Sequence, residues 1–423
     1  MSWESVKLED ISSGIQTGPF GSQLHQSDYT EDGTPVVMPK DLIGGKISEQ
    51  SIARVGTEHV QRLQRHIIQN GDILYSRRGD VGRCAFATER ETGWLCGTGC
   101  LRVTVNPRVA DNKFVFYQLQ QSSTIDWVEK HAVGATMLNL NTKILSNIPV
   151  FLPPIETQHR IADILSAYDD LIENNRKQIK LLEEAAQRLY KEWFVDLRFP
   201  GHEHTKIADG VPEGWDYVPF GKIVSYEIGG GWGEDCVTGK NECPGFVIRG
   251  TDIDGIKQGD LLSIPYRFHS QGNLAARELL NGDIIFEVSG GSKNTGVAKT
   301  LLITKSLLDV WQKPVMCASF CKLIRFNKPQ IVQYIYDCLQ YWRAVGETQE
   351  YEKKSASSII NYRWKDFLGQ KCILLPEEHL LQKYCTMSSS LYKQAVTHSI
   401  AICKATQARD CLLPKLMSGE VEV

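Results

Sequence analysis

The chain has 423 residues, with 47 Lys plus Arg against 50 Asp plus Glu, so its formal net charge of −3 points to no particular partner. At about 100 to 200 residues per domain the length predicts two or three domains, and 42% apolar with 23% charged residues excludes disordered and fibrous classes. The start, Met1-Ser2-Trp3-Glu4-Ser5, lacks the basic flank and apolar stretch of a secretory signal, and no run of about 18 apolar residues exists, so a cytoplasmic protein without membrane association is expected.

In chain order, a first globular unit spans 1–155. Its strands include 34–38 (T-P-V-V-M), 72–76 (D-I-L-Y-S) and 101–105 (L-R-V-T-V). The tripeptide Asn70-Gly71-Asp72 before the second is turn chemistry that favours positive φ at Asn and Gly. A helix is predicted over about 112–131, with Phe116, Leu119, Trp127 and Val128 among its apolar positions. The unit is therefore mixed α/β.

After Pro153-Pro154 the pattern changes, and a stretch without Gly or Pro predicts a long helix over 156–198. Its seam steps by four and three: Ile161, Leu165, Tyr168, Ile172, Asn175, Ile179, Leu182, Ala186, Leu189, Trp193, which is a coiled-coil pattern. Residues 199–213, rich in Pro, Gly and polar side chains, read as a linker.

A second unit over 214–376 and a second helix over 377–418 repeat this plan. Trp3 returns as Trp215, Asn70-Gly71-Asp72-Ile73 as Asn281-Gly282-Asp283-Ile284, Cys100 with Asn106 as Cys321 with Asn327, and Leu152-Pro153 as Leu375-Pro376. The offset is 211 to 212 early and 221 to 223 late, which places an insertion of ten residues before Cys321. A collinear series of this kind is a duplication. The second seam, shifted by 223, reads Tyr384, Ser388, Leu391, Ala395, His398, Ile402, Ala405, Arg409, Leu412, Leu416. Asn175 and His398 fall at matching positions, where a buried polar residue fixes register or, alternatively, a solvated edge is marked. Two such units joined through two such helices imply a pseudo-two-fold, α+β architecture with an antiparallel coiled coil.

The twelve cysteines are too few for a disulfide scaffold. Cys96 with Cys100 and Cys317 with Cys321 share a C-x3-C spacing, but Cys100 and Cys321 each open an alternating strand, so buried thiols are expected rather than metal ligands. Catalytic motifs are not found. Gly291-Ser292-Lys293-Asn294-Thr295-Gly296 begins like a phosphate-binding loop, yet Val297 stands where the loop's Lys belongs, which leaves Lys293 and Asn294 as simple contact candidates. Gly229-Gly230-Gly231-Trp232-Gly233 follows no clear βα unit and reads as a flexible loop.

Local basic clusters carry more. Ser76, Arg77, Arg78 and Arg83 surround Gly79 and Gly82 after a strand, which suits approach to phosphate or bidentate reading of guanine. Thr136, Asn139, Asn141 and Lys143 lie at a loop-to-helix junction, and Lys353, Lys354, Ser355, Asn361 and Arg363 occupy the corresponding place in the second copy. Such residues can contact phosphates and bases, or merely cap a helix.

The chain resembles the specificity subunit of type I DNA restriction-modification systems. The resemblance rests on G-P-F-G-S at 18–22, N-G-D-I-L-Y-S-R-R-G-D-V-G at 70–82, L-P-P-I-E-T-Q-H-R-I-A-D-I-L at 152–165, L-Y-K-E-W-F-V-D at 189–196 and L-L-P-K-L-M-S-G-E at 412–420. Thr157 interrupts the family's P-x-x-E-Q pattern, and the second copy (P-E-E-H-L-L-Q-K-Y) diverges further. The resemblance implies two target-recognition domains that each read half of a split DNA site, and helices that act as a ruler and dock two methyltransferase subunits. Restriction subunits join through those. S-adenosylmethionine, ATP and Mg belong to the partners, so this chain needs no cofactor and no catalytic residue. A coiled-coil scaffold without DNA readout, or a self-contained DNA-modifying enzyme, are the alternatives.

Overall fold

The structure is a computed structural model that describes residues 3–134, 138–291, 296–354 and 359–423, the side chain of Lys354 excepted. It divides into two compact units, one comprising Met1–Asp170 with Gln407–Val423 and the other Leu171–Thr406.

In the first unit a four-stranded sheet runs in the order Ser12–Thr17, Cys100–Val105, Ile73–Ser76, Cys84–Phe86, antiparallel throughout. A second sheet orders Leu95–Cys96, Thr34–Val37, Ala53–Val55 and Tyr29–Thr30. Glu4–Lys7 pairs with Pro149–Leu152 and returns the chain to the base of its long helix. The second unit has the same plan. Val224–Gly229, Cys321–Phe326, Ile284–Glu287 and Thr300–Leu302 form its four-stranded sheet, and Cys243–Ile248 lies between Tyr266–His269 and Val315–Cys317. Asp216–Pro219 pairs with Cys372–Leu375 as the counterpart of the closing pair. Duplication therefore extends from sequence to strand order.

The Asn-Gly-Asp turn differs from its expected form, since Gly71 (φ +88°) and Gly282 (φ +92°) take positive φ and neither asparagine does. Asp72 N–H donates to the Gln69 carbonyl at 3.1 Å, which makes Gly71 the third residue of the turn. In such a type II arrangement only that position needs the left-handed region. The helix expected over 112–131 is two, Asn112–Leu119 and Ser122–His131. Gln121 is extended, and the Thr124 hydroxyl donates to the Gln118 carbonyl at 2.9 Å across the break. The run Ser122-Ser123-Thr124 offers the backbone just such competing partners. In the second unit Val332–Ala344 stays one helix.

The long helices run Ile155–Tyr190 and Glu378–Ser418. Within the first unit, Ile161 and Leu165 join Leu416 and Met417 in one core, and Leu412 packs against it. The Asp169 carboxylate accepts from the Tyr117 hydroxyl at 2.5 Å and from Arg409 at 2.6 Å. Within the second unit, Tyr190 and Trp193 pack on Tyr384, so each unit holds an antiparallel pair of helical segments. Ile172, Ile179 and Ile402 are buried, while Tyr168, Leu182, Leu189 and Leu391 are half-buried. Asn175 is buried, and its Nδ2 donates to the Leu171 carbonyl at 2.7 Å. That bond turns Oδ1 toward His398 Nδ1, 2.6 Å away, and assigns the proton to Nδ1. The helix then widens into one π turn, Lys191–Val195, in which the adjacent Trp193 and Phe194 are both buried. Residues 199–213, expected to be featureless, carry a 3-10 turn at His202–His204 and a two-residue pairing of Ile207–Ala208 with Val211–Pro212.

All twelve cysteines are free. Cys96, Cys100, Cys317 and Cys321 are buried, whereas Cys236 and Cys411 are exposed. Among the described residues no helix is long and apolar enough to cross a membrane.

One buried carboxyl makes the second unit sensitive to pH. Asp337 accepts from Tyr384 at 2.8 Å, from Gln333 at 3.0 Å and from Ser388, yet burial outweighs these bonds and pushes its pKa up to about 7. The folded state therefore binds a proton that the unfolded state has lost, and stability falls as pH rises from about 4 to about 7, then levels. Asp337→Asn should remove this loss. The difference in melting temperature between variant and wild type is expected to grow from pH 5 to pH 8, by the equivalent of roughly 1 to 4 kcal/mol.

Candidate nucleic-acid interface

The buried thiols frame the site. Between Cys96 and Cys100 the chain makes a tight turn whose backbone is used by two other segments. Arg77 N–H donates to the Gly99 carbonyl at 2.8 Å, and Gly18 N–H donates to the Cys100 carbonyl at 2.9 Å. The Thr98 hydroxyl adds a bond to the Pro19 carbonyl at 2.9 Å. A Cβ on Gly18 would sit 1.9 Å from the Gly97 oxygen, so this approach requires glycine. In the second unit the turn is Cys317 to Cys321. Val288 and Ser289 both donate to the Phe320 carbonyl, at 2.9 and 3.2 Å, and Gly230 donates to Cys321 at 2.9 Å. Gly231 N–H adds a bond to the Cys317 carbonyl at 2.9 Å, so the glycine loop expected to be flexible is pinned.

Burial raises all four thiols, Cys96 and Cys317 to about 12, and outweighs the opposing charges of Arg102 at Cys96 and of Arg277 and Lys322 at Cys317. They are packing groups under a polar edge.

On that edge the first unit brings together the end of one strand and a returning segment. Leu140 N–H donates to the Arg77 carbonyl at 2.8 Å and Gly79 N–H to Leu138 at 3.2 Å, and Arg78 bridges Asn139. Ser76 is buried, and its hydroxyl donates to the Arg78 carbonyl at 3.1 Å. Arg77 lies over the Phe20 ring, its carbon 5.6 Å from the centroid, and its Nε and the Asn139 Oδ1 are buried without hydrogen-bond partners among the described residues. Arg78 is exposed. Arg83 is not equivalent to it, because Asp80 accepts from both Nε and Nη2 at 3.1 and 2.8 Å and holds the charge in an ion pair. Asn141 is a helix cap, accepting from Ile144 N–H at 2.8 Å, and Lys143 is exposed on the helix that follows.

The second unit places different side chains on the same backbone. Tyr362 N–H donates to the Val288 carbonyl at 2.8 Å as Leu140 does to Arg77, and Ser289 pairs with Asn361 as Arg78 does with Asn139. The Ser289 hydroxyl and the Asn361 Oδ1 are 2.8 Å apart. Lys353 is exposed opposite Asn361 on the neighbouring strand, and Lys354 follows it there. Arg363 is occupied, bonding Asp366 at 3.1 Å and the Glu350 carbonyl at 2.5 Å while covering Tyr351. Thr136, Lys293, Asn294 and Ser355 lie outside the described residues. Sequence reasoning missed that the C-x3-C turns seat both edges, although the repeated spacing was the signal. It also passed over Phe20 and Trp232 as members of the edge.

Two sheets with a doubled polar edge define a duplicated recognition module. Residues 1–184 match the family described as type I restriction modification DNA specificity domain. The chain is 25% identical over 446 residues to the type I restriction enzyme MjaIX specificity subunit of Methanocaldococcus jannaschii, covering 100% of this chain and 94% of that one. It is 26% identical over 213 residues to the HindI specificity subunit of Haemophilus influenzae, covering 49% of this chain and 44% of that one. A crystal structure of the type I S subunit from M. genitalium shares the fold, with a TM-score of 0.60 at 15% identity over 98% of this chain and 96% of that one. The domain match over residues 1–184 and the full-length similarity to a specificity subunit point the same way: along its whole length the chain is similar to type I restriction-modification specificity subunits.

The engagement of each arginine separates structural from free cations. Arg363→Ala should destabilise the chain by about 0.5 to 1 kcal/mol, because it uncovers the buried Tyr351 ring and removes exposed bonds to Asp366 and the Glu350 carbonyl. Arg78→Ala should change stability by less than about 0.5 kcal/mol. Denaturant titration of the two variants distinguishes them.

Proposed function

We propose that this chain is the sequence-reading subunit of a type I restriction-modification complex, with one half of a bipartite, asymmetric DNA site read by each unit. The observation that carries this is one scaffold with two chemical faces. Arg77, Arg78 and Asn139 in one unit stand where Val288, Ser289 and Asn361 stand in the other. Guanidinium groups favour guanine edges, whereas hydroxyl and amide groups favour other base edges, so unlike half-sites follow from unlike side chains.

In this reading the chain itself catalyses nothing. Two methyltransferase subunits dock on it and transfer the methyl group of S-adenosylmethionine to adenine, and restriction subunits that use ATP and Mg join through them, in the cytoplasm where the DNA lies. The formal charge of −3 fits a division of labour in which partners neutralise much of the phosphate backbone. The long helices set the gap between half-sites.

The test is co-expression with a cognate methyltransferase subunit and genome-wide mapping of modified adenines, which should give one bipartite motif. An active complex that marks no bipartite motif defeats the proposal. Replacing residues 1–150 by the same unit of a relative should change one half-site and leave the other half and the gap untouched. Arg77→Ala with Arg78→Ala should relax or weaken recognition of that same half by about 1 to 3 kcal/mol while the complex still assembles. A double variant with unchanged affinity and motif would exclude both arginines from readout.

A further inference from the structure

Each pinned glycine loop carries one exposed aromatic ring, and in the second unit the turn itself adds Phe320, 56% exposed. Phe20 is 51% exposed and Trp232 40% exposed, although both sit in segments held by several backbone bonds. The two positions are equivalent, since Gly18 and Gly230 make the same bond to Cys100 and Cys321 and the rings follow two residues later. Phe20 is fixed further by its own N–H to Gln23 Oε1 at 3.2 Å and by its carbonyl, which accepts from Gln23 and Leu24. Its exposure is therefore built in.

Each ring is backed by an arginine, but the two arginines are not equivalent. Arg77 covers Phe20 at 5.6 Å from a strand end whose counterpart is Val288. Arg267 covers Trp232 at 4.5 Å from the strand Tyr266–His269, opposite Gly245. The corresponding position in the first unit, opposite Thr34, is Val55. Arg267 is only 11% exposed and bonds Asp235 and the Trp232 carbonyl, so it acts as a prop and has no free charge to offer. One arrangement, a ring with one face covered by guanidinium and the other open, is thus assembled from different strands in the two copies. Shared descent alone accounts for the aromatic residue but not for the second arginine.

Each ring stands on a loop seated on the same turn as a polar edge, with exposed Arg78 in the first unit and, opposite Asn361 in the second, exposed Lys353, which fits a ligand with flat apolar faces and an anionic backbone. We propose that Phe20 and Trp232 are equivalent DNA contacts, each entering the base stack at one step of the half-site that its own unit reads. This rests on the DNA-reading role and adds a mode to it: the arginine holds the ring upright, and the free face packs against an unstacked base, as apolar wedges do at kinked steps.

The experiment uses the assembled complex with its methyltransferase partner, without S-adenosylmethionine, and duplexes carrying 2-aminopurine at successive positions of each half-site. Wild type should enhance fluorescence at one step in each half, apart from the target adenines. Phe20→Leu should abolish the enhancement in the half assigned to the first unit and weaken binding about ten-fold, with the other half unchanged. Trp232→Leu should do the converse, and Phe20→Trp and Trp232→Phe should keep both signals. Leucine retains apolar volume at an exposed position, so the melting temperature should not move. Wild-type affinity and fluorescence in both leucine variants overturn the proposal. So does loss of methyltransferase co-purification, which would assign the rings to a protein contact. If the wild-type complex fails to distinguish its site from random DNA, the DNA-reading role falls and this inference falls with it, whereas site discrimination that survives both substitutions removes the wedge alone.

Discussion

Everything on the recognition edge depends on one backbone interaction, the acceptance by the C-x3-C turn of amide donors from two distant segments. In each unit the turn receives the glycine loop on one side and a strand end on the other. The thiols beneath are buried and uncharged, so they fill space and impose no electrostatic preference on what lies above. Because the bonds are made by main chain, side chains at Arg77, Arg78, Val288 and Ser289 can differ without disturbing the support. A scaffold of this kind allows specificity to change while stability does not, and that property suits the proposed reading of unlike half-sites by the two units.

How much of this was legible beforehand differs from element to element. The duplication, the two long helices and the seam from Ile161 to Trp193 were readable because periodicity and collinear repeats report backbone geometry directly. The break at Gln121 was not, since apolar spacing continues across it and only the cluster of hydroxyl residues marks the interruption. Nor could the sequence separate Arg78 from Arg83 or Arg363. All three are arginines near glycine or asparagine, and only the fold shows that Asp80 and Asp366 already hold the latter two. The glycine loop around Trp232 read as flexible because glycine raises chain entropy locally, whereas here close approach to the Cys317 turn is what requires it.

Asn175 and His398 illustrate a different kind of legibility. Their matching positions, 223 apart, left open whether they lay inside or at an edge. The structure sets them against each other, with the Asn175 amide committed to Leu171 and therefore its oxygen to His398. A pair with one fixed donor and one fixed acceptor tolerates no sliding of the helices, because any shift strands two polar groups in an apolar seam. Sequence supplied the positions, and hydrogen-bond direction supplied the meaning.

The placement of the thiols has a chemical consequence for handling and for redox stress. A thiol pushed up to about 12 by burial is almost wholly protonated at neutral pH. Oxidants and alkylating agents react with thiolate, so the cysteines under the reading edges are protected twice, by burial and by protonation. The solvent-exposed sulfur is elsewhere, at Cys411 in the first unit and Cys236 in the second. Mild labelling of the native chain would thus mark Cys411 and Cys236 first, the half-buried Cys243 and Cys372 more slowly, and leave the four thiols of the turns untouched.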